Sequence, residues 1–208
     1  MKRRFLIALL LLALLLLGAC GEKPLETDKT AAFIPGESSG QEYRSEFLGL
    51  RFACETVSFY TNGEIAKLNG YDPAIVPESE RAALFENART IFDMYAGNYL
   101  YDTVNICFEN TELIYGERLT AEAYRAKKTA LLPQSFQDAG VSVISLNEAT
   151  CTLAGYGALC IETCVDVSGN TVYEREIYLQ KGQYMAIICT ASVDPAGLNA
   201  LLADFSRI

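Results

Sequence analysis

The chain has 208 residues, with 17 basic against 26 acidic side chains, a formal charge of −9 and no histidine. The missing histidine removes Ser-His-Asp and Cys-His nucleophile pairs, HExxH zinc sites and histidine general bases together. The acidic balance repels phosphate backbones and so argues against nucleic acid as a partner, and neither a P-loop nor a GxGxxG is present.

Lys2-Arg3-Arg4 precedes an unbroken apolar run from Phe5 to Leu17, which leads into Leu17-Gly18-Ala19-Cys20. At ~1.5 Å per residue that run covers only about 20 Å of a roughly 30 Å hydrocarbon core, too little for a lasting span. The junction resembles a bacterial lipobox, with small residues for the signal peptidase and a cysteine to receive the lipid. Residues 1–19 are therefore expected to be a lipoprotein signal peptide. Cys20 is expected to carry acyl chains such as palmitate and to hold the protein on the extracytoplasmic face of a bacterial cell membrane. Loss of the leader takes three basic residues and no acid, leaving 14 against 26 and a charge of −12. Contact with the bilayer is then expected through the lipid alone. Residues 20–40, with Pro24, Pro35, two serines and scattered charges, have the composition of a flexible tether, and residues 41–208 have the length of one domain.

Ser45 to Cys54 reads as a mostly apolar strand crossed by Gly49. Asn62 offers an N-cap for a short helix to Leu68, closed by Asn69-Gly70. Pro77, with Glu78 and Glu80 behind it, opens a second helix to about Arg89. Ile91 to Ala96 and Thr103 to Glu109 read as an antiparallel pair. Thr120 starts the longest helix, which Pro133 is expected to kink or end before Gly140. From there the period changes to two. Strands are expected near Val141–Thr152, Tyr156–Val167, Thr171–Gln180 and Tyr184–Ser192, with turns at Gly155, at Ser168-Gly169-Asn170 and at Lys181-Gly182. Asp194 and Pro195 open a last helix whose apolar face is Leu198, Leu201, Leu202 and Phe205.

Six cysteines follow Cys20: Cys54, Cys107, Cys151, Cys160, Cys164 and Cys189. They are small buried residues or disulfide partners, with Cys151 and Cys189 as plausible neighbours in the meander. On one strand Cys160 and Cys164 stand ~13 Å apart, too far to bond. No CxxC supports a metal site, and no cofactor is expected. Glu162 and Asp166 on one strand, with Glu174 and Glu176 on its hairpin neighbour, are the candidate acid cluster, unless Arg175 compensates them. Tyr95, Tyr99, Tyr101 and Tyr115 are the candidate binding residues, because Tyr99 and Tyr101 fall in a loop where aromatic rings are costly to expose.

The order of elements argues for an α+β fold in which helices cover an antiparallel sheet. Three stretches carry a resemblance: Ser45-Glu46-Phe47-Leu48-Gly49-Leu50-Arg51-Phe52, Glu64-Ile65-Ala66-Lys67-Leu68-Asn69-Gly70 and Phe92-Asp93-Met94-Tyr95-Ala96. With Val104-Asn105-Ile106, Glu109-Asn110 and Leu153-Ala154-Gly155, the chain resembles uncharacterised Gram-positive lipoproteins with a PsbP-like domain. That resemblance implies an α/β/α sandwich with a central antiparallel sheet. The fold it implies serves mostly accessory or binding subunits, and the expected role here is non-catalytic binding of an envelope protein or small ligand. A carboxylate-dependent cell-envelope hydrolase or transferase, and a structural subunit of an envelope assembly, are the alternatives.

Overall fold

The computed structural model describes residues 33–98 and 102–208. The expected signal peptide, residues 1–19, and Cys20 therefore lie outside the described residues. Eleven strands in two antiparallel sheets and five helices make up the described part.

A four-stranded sheet is built from β1 (Glu37–Ser39), β2 (Glu42–Ser45), β3 (Leu50–Ala53) and β11 (Phe205–Arg207), in that order. A seven-stranded sheet holds β4 (Ser58–Phe59), β5 (Thr90–Gly97), β6 (Thr103–Asn110), β7 (Ser142–Leu153), β8 (Tyr156–Asp166), β9 (Thr171–Lys181) and β10 (Tyr184–Ser192). Its order is β4-β5-β6-β10-β9-β8-β7. The helices are α1 (Asn62–Leu68), α2 (Glu78–Glu86), α3 (Thr111–Tyr115), α4 (Ala121–Asp138) and α5 (Pro195–Ala203).

Alternation divides the large sheet into two faces. On one face Tyr178, Ile161, Met185 and Ile187 pack with Leu119 and with Tyr124 and Leu132 of α4. On the other, Ile91, Ile106, Phe108, Ile177 and Ile188 meet Tyr43, Leu50, Phe52 and Phe205 of the small sheet, together with Leu201 of α5. The fold is thus α+β, two antiparallel sheets with a few helices. The second face is packed largely by the small sheet, where helices alone were expected.

Several local expectations shift by physical cause. Residues 45–54 are two strands, because Gly49 takes φ +65° and turns the chain between β2 and β3. The α1 N-cap is Thr61, one residue before Asn62. Its side chain accepts from Glu64 N while the Glu64 carboxylate accepts from Thr61 N, a full capping box. Pro133 neither ends nor displaces α4, which continues to Asp138 with Leu132 buried and Phe136 packed beside it. Phe205 leaves the last helix and pairs with Phe52 as part of β11. Ser168 and Gly169 both take positive φ, 59° and 84°, the signature of a type I′ hairpin turn.

The tether expected to reach Gly40 gives way to packed structure at Phe33. That side chain is 7% exposed and stands 4.9 to 5.6 Å, centroid to centroid, from Phe47, Phe85, Phe108 and Tyr184. Burying such a ring contributes ~1.5–3 kcal/mol, enough to fix the entry of the chain. Among the described residues no helix is long and apolar enough to cross a membrane.

Candidate functional site

The site lies at the edge of the large sheet beside β5. β4 pairs with Ala96 and Gly97 and Tyr60 N donates to Tyr95 O at 2.9 Å, which leaves the Phe92 stretch of that edge beyond the reach of β4. Asn69, the C-cap of α1, closes it with its side chain: Nδ2 donates to Phe92 O at 2.6 Å and Phe92 N donates to Oδ1 at 2.8 Å. One amide thereby satisfies the donor and the acceptor that a neighbouring strand would have taken. The ladder between β5 and β6 skips a residue between Phe92 and Met94, so Asp93 is the bulged position and leaves the normal alternation.

Asp93 is 4% exposed. Its carboxylate accepts a very short hydrogen bond from the Tyr43 hydroxyl and another, at 2.9 Å, from Gly36 N. Burial pushes its pKa up to about 6, against the opposing pull of those two donors. Burial and the neighbouring carboxylate together push the Tyr43 phenol up, so Tyr43 stays a donor. A side chain at Gly36 would collide with the Tyr43 ring, which explains why glycine stands there.

Around Asp93 opens a cavity of about 330 Å³. The entry segment from Phe33 to Glu37 forms one wall, α1 with Asn62, Gly63, Ile65 and Asn69 a second, and Tyr71, Pro73, Arg81 and Phe85 a third. Phe92 and Asp93 belong to the sheet side. Asn62 ties two walls together by accepting from Ser38 N at 2.9 Å. Arg81 donates from Nε to Val76 O and from Nη2 to Pro73 O, both at 3.3 Å, and its guanidinium lies 5.9 Å from the Tyr71 ring centroid. The arrangement suits recognition: apolar walls to desolvate a ligand, and a few fixed polar groups to orient it.

Gly36-Glu37-Ser38-Ser39-Gly40 has GxSxG spacing, but it runs along β1 into β2 rather than from a strand into a helix. With no histidine in the chain, it lacks the base that a serine nucleophile of that type uses.

The predicted acid cluster is separated by register. Glu162 stands opposite Arg175, which donates to it from Nε at 2.9 Å and Nη2 at 2.6 Å. Glu174 and Glu176 stand opposite Thr163 and Ile161, on the α4 face. There Glu176 accepts from the Tyr178 hydroxyl at 2.7 Å and Glu174 from the Cys189 thiol at 3.0 Å. Burial and the nearby Glu176 raise Glu174 to about 7. Under α4, Tyr124 donates to Glu109 at 2.7 Å and Lys128 lies 3.9 Å from the same carboxylate. Lys128 is the cation facing Glu109 and Glu176, and the remaining partners of these carboxylates are the Tyr124, Tyr178 and Cys189 donors.

Of the predicted tyrosines, Tyr99 and Tyr101 lie outside the described residues. Tyr95 on β5 packs against Tyr60 at 4.7 Å. Tyr115, at the end of α3, packs against Tyr124 at 6.3 Å and lies beneath Lys127. Tyr95 pairs with Asn105 whereas Tyr115 follows Asn110, so Tyr95 and Tyr115 are not gathered at one place. Neither lines the cavity.

None of the six described cysteines is in a disulfide. Cys151 neighbours Cys160, not Cys189: Cys151 stands opposite Ala158 and Cys160 opposite Ala149, and their thiols interact. Cys189 is on β10, which β9 and β8 separate from β7. Burial raises the Cys107 thiol to about 12 and Cys189 well above the usual range, the opposite of nucleophilic activation. Among the described residues no group of three or more cysteines and acids is placed to hold a metal.

No family model matches the chain, and no curated protein matches it. Among solved structures it is similar to the solution structure of cyanobacterial PsbP (CyanoP) from Synechocystis sp. PCC 6803. That likeness has 12% identity and a TM-score of 0.41, covering 81% of this chain and 92% of the other. At that level it carries no argument about activity, and the site rests on the cavity and contacts given above.

Proposed function

We propose that the protein is a lipid-anchored, extracytoplasmic, non-catalytic binding module of the PsbP-like type, and that the cavity at the β5 edge takes a small ligand. The observation that carries this reading is the cavity itself. Three chain segments converge on a buried carboxylate held by two donors, beside apolar walls. Such concave, largely preformed places with a few convergent polar groups are where small molecules bind. The lipobox-like Leu17-Gly18-Ala19-Cys20 supports the anchor. Cys20 and Phe33 are thirteen positions apart in sequence, so the cavity's first wall lies at most about 45 Å from the lipid.

Two measurements test the reading. Palmitate labelling in a bacterial host is expected for the wild type and absent for Cys20→Ser; equal labelling removes the anchor. For the ligand, exported Cys20→Ser protein is compared by native mass spectrometry with the same protein carrying Gly63→Phe. Gly63 lines the cavity and a Cβ there would meet only Thr61 Oγ1 at 4.0 Å, so phenylalanine is introduced at that wall to obstruct the cavity without a clash at its Cβ. A co-purifying small molecule lost on filling is the expected result; identical spectra would remove the binding reading.

A further inference from the structure

The walls of the cavity hold two opposite charges that do not neutralise each other. Asp93 has two hydrogen-bond donors, Tyr43 and Gly36 N, both neutral, so its negative charge has no cation beside it. Arg81 is held by two neutral carbonyls and makes no ion pair with a described carboxylate. Tyr71 reports both fields: beyond the effect of burial, Arg81 draws its phenol down and Asp93 pushes it up. A buried charge without a partner is costly, and the cost is recovered when a ligand supplies the counter-charge.

A single small molecule that engages both the buried Asp93 charge and the rim Arg81 charge must itself be dipolar. We propose that the cavity recognises a free α-amino acid with an apolar side chain, its ammonium at Asp93, its carboxylate at Arg81 and its side chain against Phe33 and Ile65. This rests on the cavity being a ligand site, as proposed above. The guanidinium keeps N–H donors beyond the two spent on Val76 and Pro73, and its planar fork suits a carboxylate. The ammonium offers three donors to a carboxylate whose oxygens each accept one protein hydrogen bond. A volume near 330 Å³ has room for one amino acid rather than a folded peptide.

The assignment makes the ligand's two ends separately testable. Calorimetric titration of the exported Cys20→Ser protein uses L-leucine and L-phenylalanine, the N-acetyl acid that lacks the cationic amine, and the amide that lacks the carboxylate. Free amino acids are expected to bind at least about tenfold tighter than either derivative. Asp93→Asn is expected to abolish the preference over the N-acetyl acid and to spare the preference over the amide. Arg81→Gln is expected to do the reverse, and as a rim substitution it leaves the buried Tyr43 pair intact. Affinity for leucine should also fall as pH drops through about 6, because Asp93 is neutralised there while the ammonium is unchanged. Tyr43, Tyr71, Arg81 and Glu37 are the other titratable groups around this cavity, and burial pushes the Tyr43 and Tyr71 phenols up, away from that interval.

Equal binding of acid, derivative and amide, or no binding of either amino acid, overturns the assignment. If Gly63→Phe still displaces a compound of other chemistry, the cavity is a ligand site and only the amino-acid assignment is lost. If no compound distinguishes Gly63→Phe from its parent, both readings are lost.

Discussion

A lone acid inside Ile91-Phe92-Asp93-Met94-Tyr95-Ala96 must either reach water or find donors, and Asp93 finds Tyr43 and Gly36. Its pKa near 6 lies above the ordinary 3.8, so the folded protein binds more protons than the unfolded chain between about pH 4 and pH 6. Stability contributed by the protonated acid is present at the lower end of that window and is lost as pH rises through 6. At neutral pH the buried charge costs about 3 kcal/mol. Asp93→Asn is therefore expected to flatten the fall in urea midpoint between pH 4 and pH 6; an unchanged slope would place the ionisation elsewhere. The lone acid was visible in the sequence, but its importance was not. A bulge breaks the period-two signal at that very residue, and Tyr43 is fifty positions away. The tyrosines and the Glu162 cluster drew attention because composition and spacing are local, whereas the faces they occupy are decided by register with Arg175, Asn105 and Tyr124.

Long elements were legible because their periods are long enough to read. The four-strand meander and the β5–β6 pair fall within a residue or two of the expected bounds, each strand being eight to twelve residues long. The small sheet was not, since β1, β2, β3 and β11 have three or four residues and owe their existence to partners far along the chain. Phe205 fits a helical three-to-four spacing after Leu198, Leu201 and Leu202, and tertiary pairing with Phe52 overrides it. α4 shows packing overriding propensity in the other direction. Pro133 removes one backbone donor in mid-helix, yet Leu132 and Phe136 on either side are held against the large sheet. Pro133 itself is exposed, so Pro133→Ala removes strain without losing core contact. It should stabilise the protein by about 1–3 kcal/mol and increase helical circular dichroism. A loss of stability would mean that the proline shapes the helix to fit the sheet.

At the scale of the molecule, the entry segment decides where the domain begins and whether the cavity exists. A boundary at Gln41 follows composition, since residues 20–40 are polar and rich in turn formers, but one aromatic ring changes the balance. Phe33 joins Phe47 next to the small sheet, Phe85 on α2 and Phe108 on β6, and three residues later the chain supplies Gly36 N to Asp93. Replacing Phe33 by alanine leaves a void among those rings and should cost about 3–5 kcal/mol, read as a lowered urea midpoint with unchanged slope. The same change should weaken ligand retention, because the wall that donates to Asp93 is anchored through this residue. If the segment were an adjunct to a domain complete from Gln41 onward, Phe33→Ala would cost under about 0.5 kcal/mol, as a surface substitution does. A large loss of stability places the entry segment inside the cooperative unit and makes the cavity a product of the whole fold.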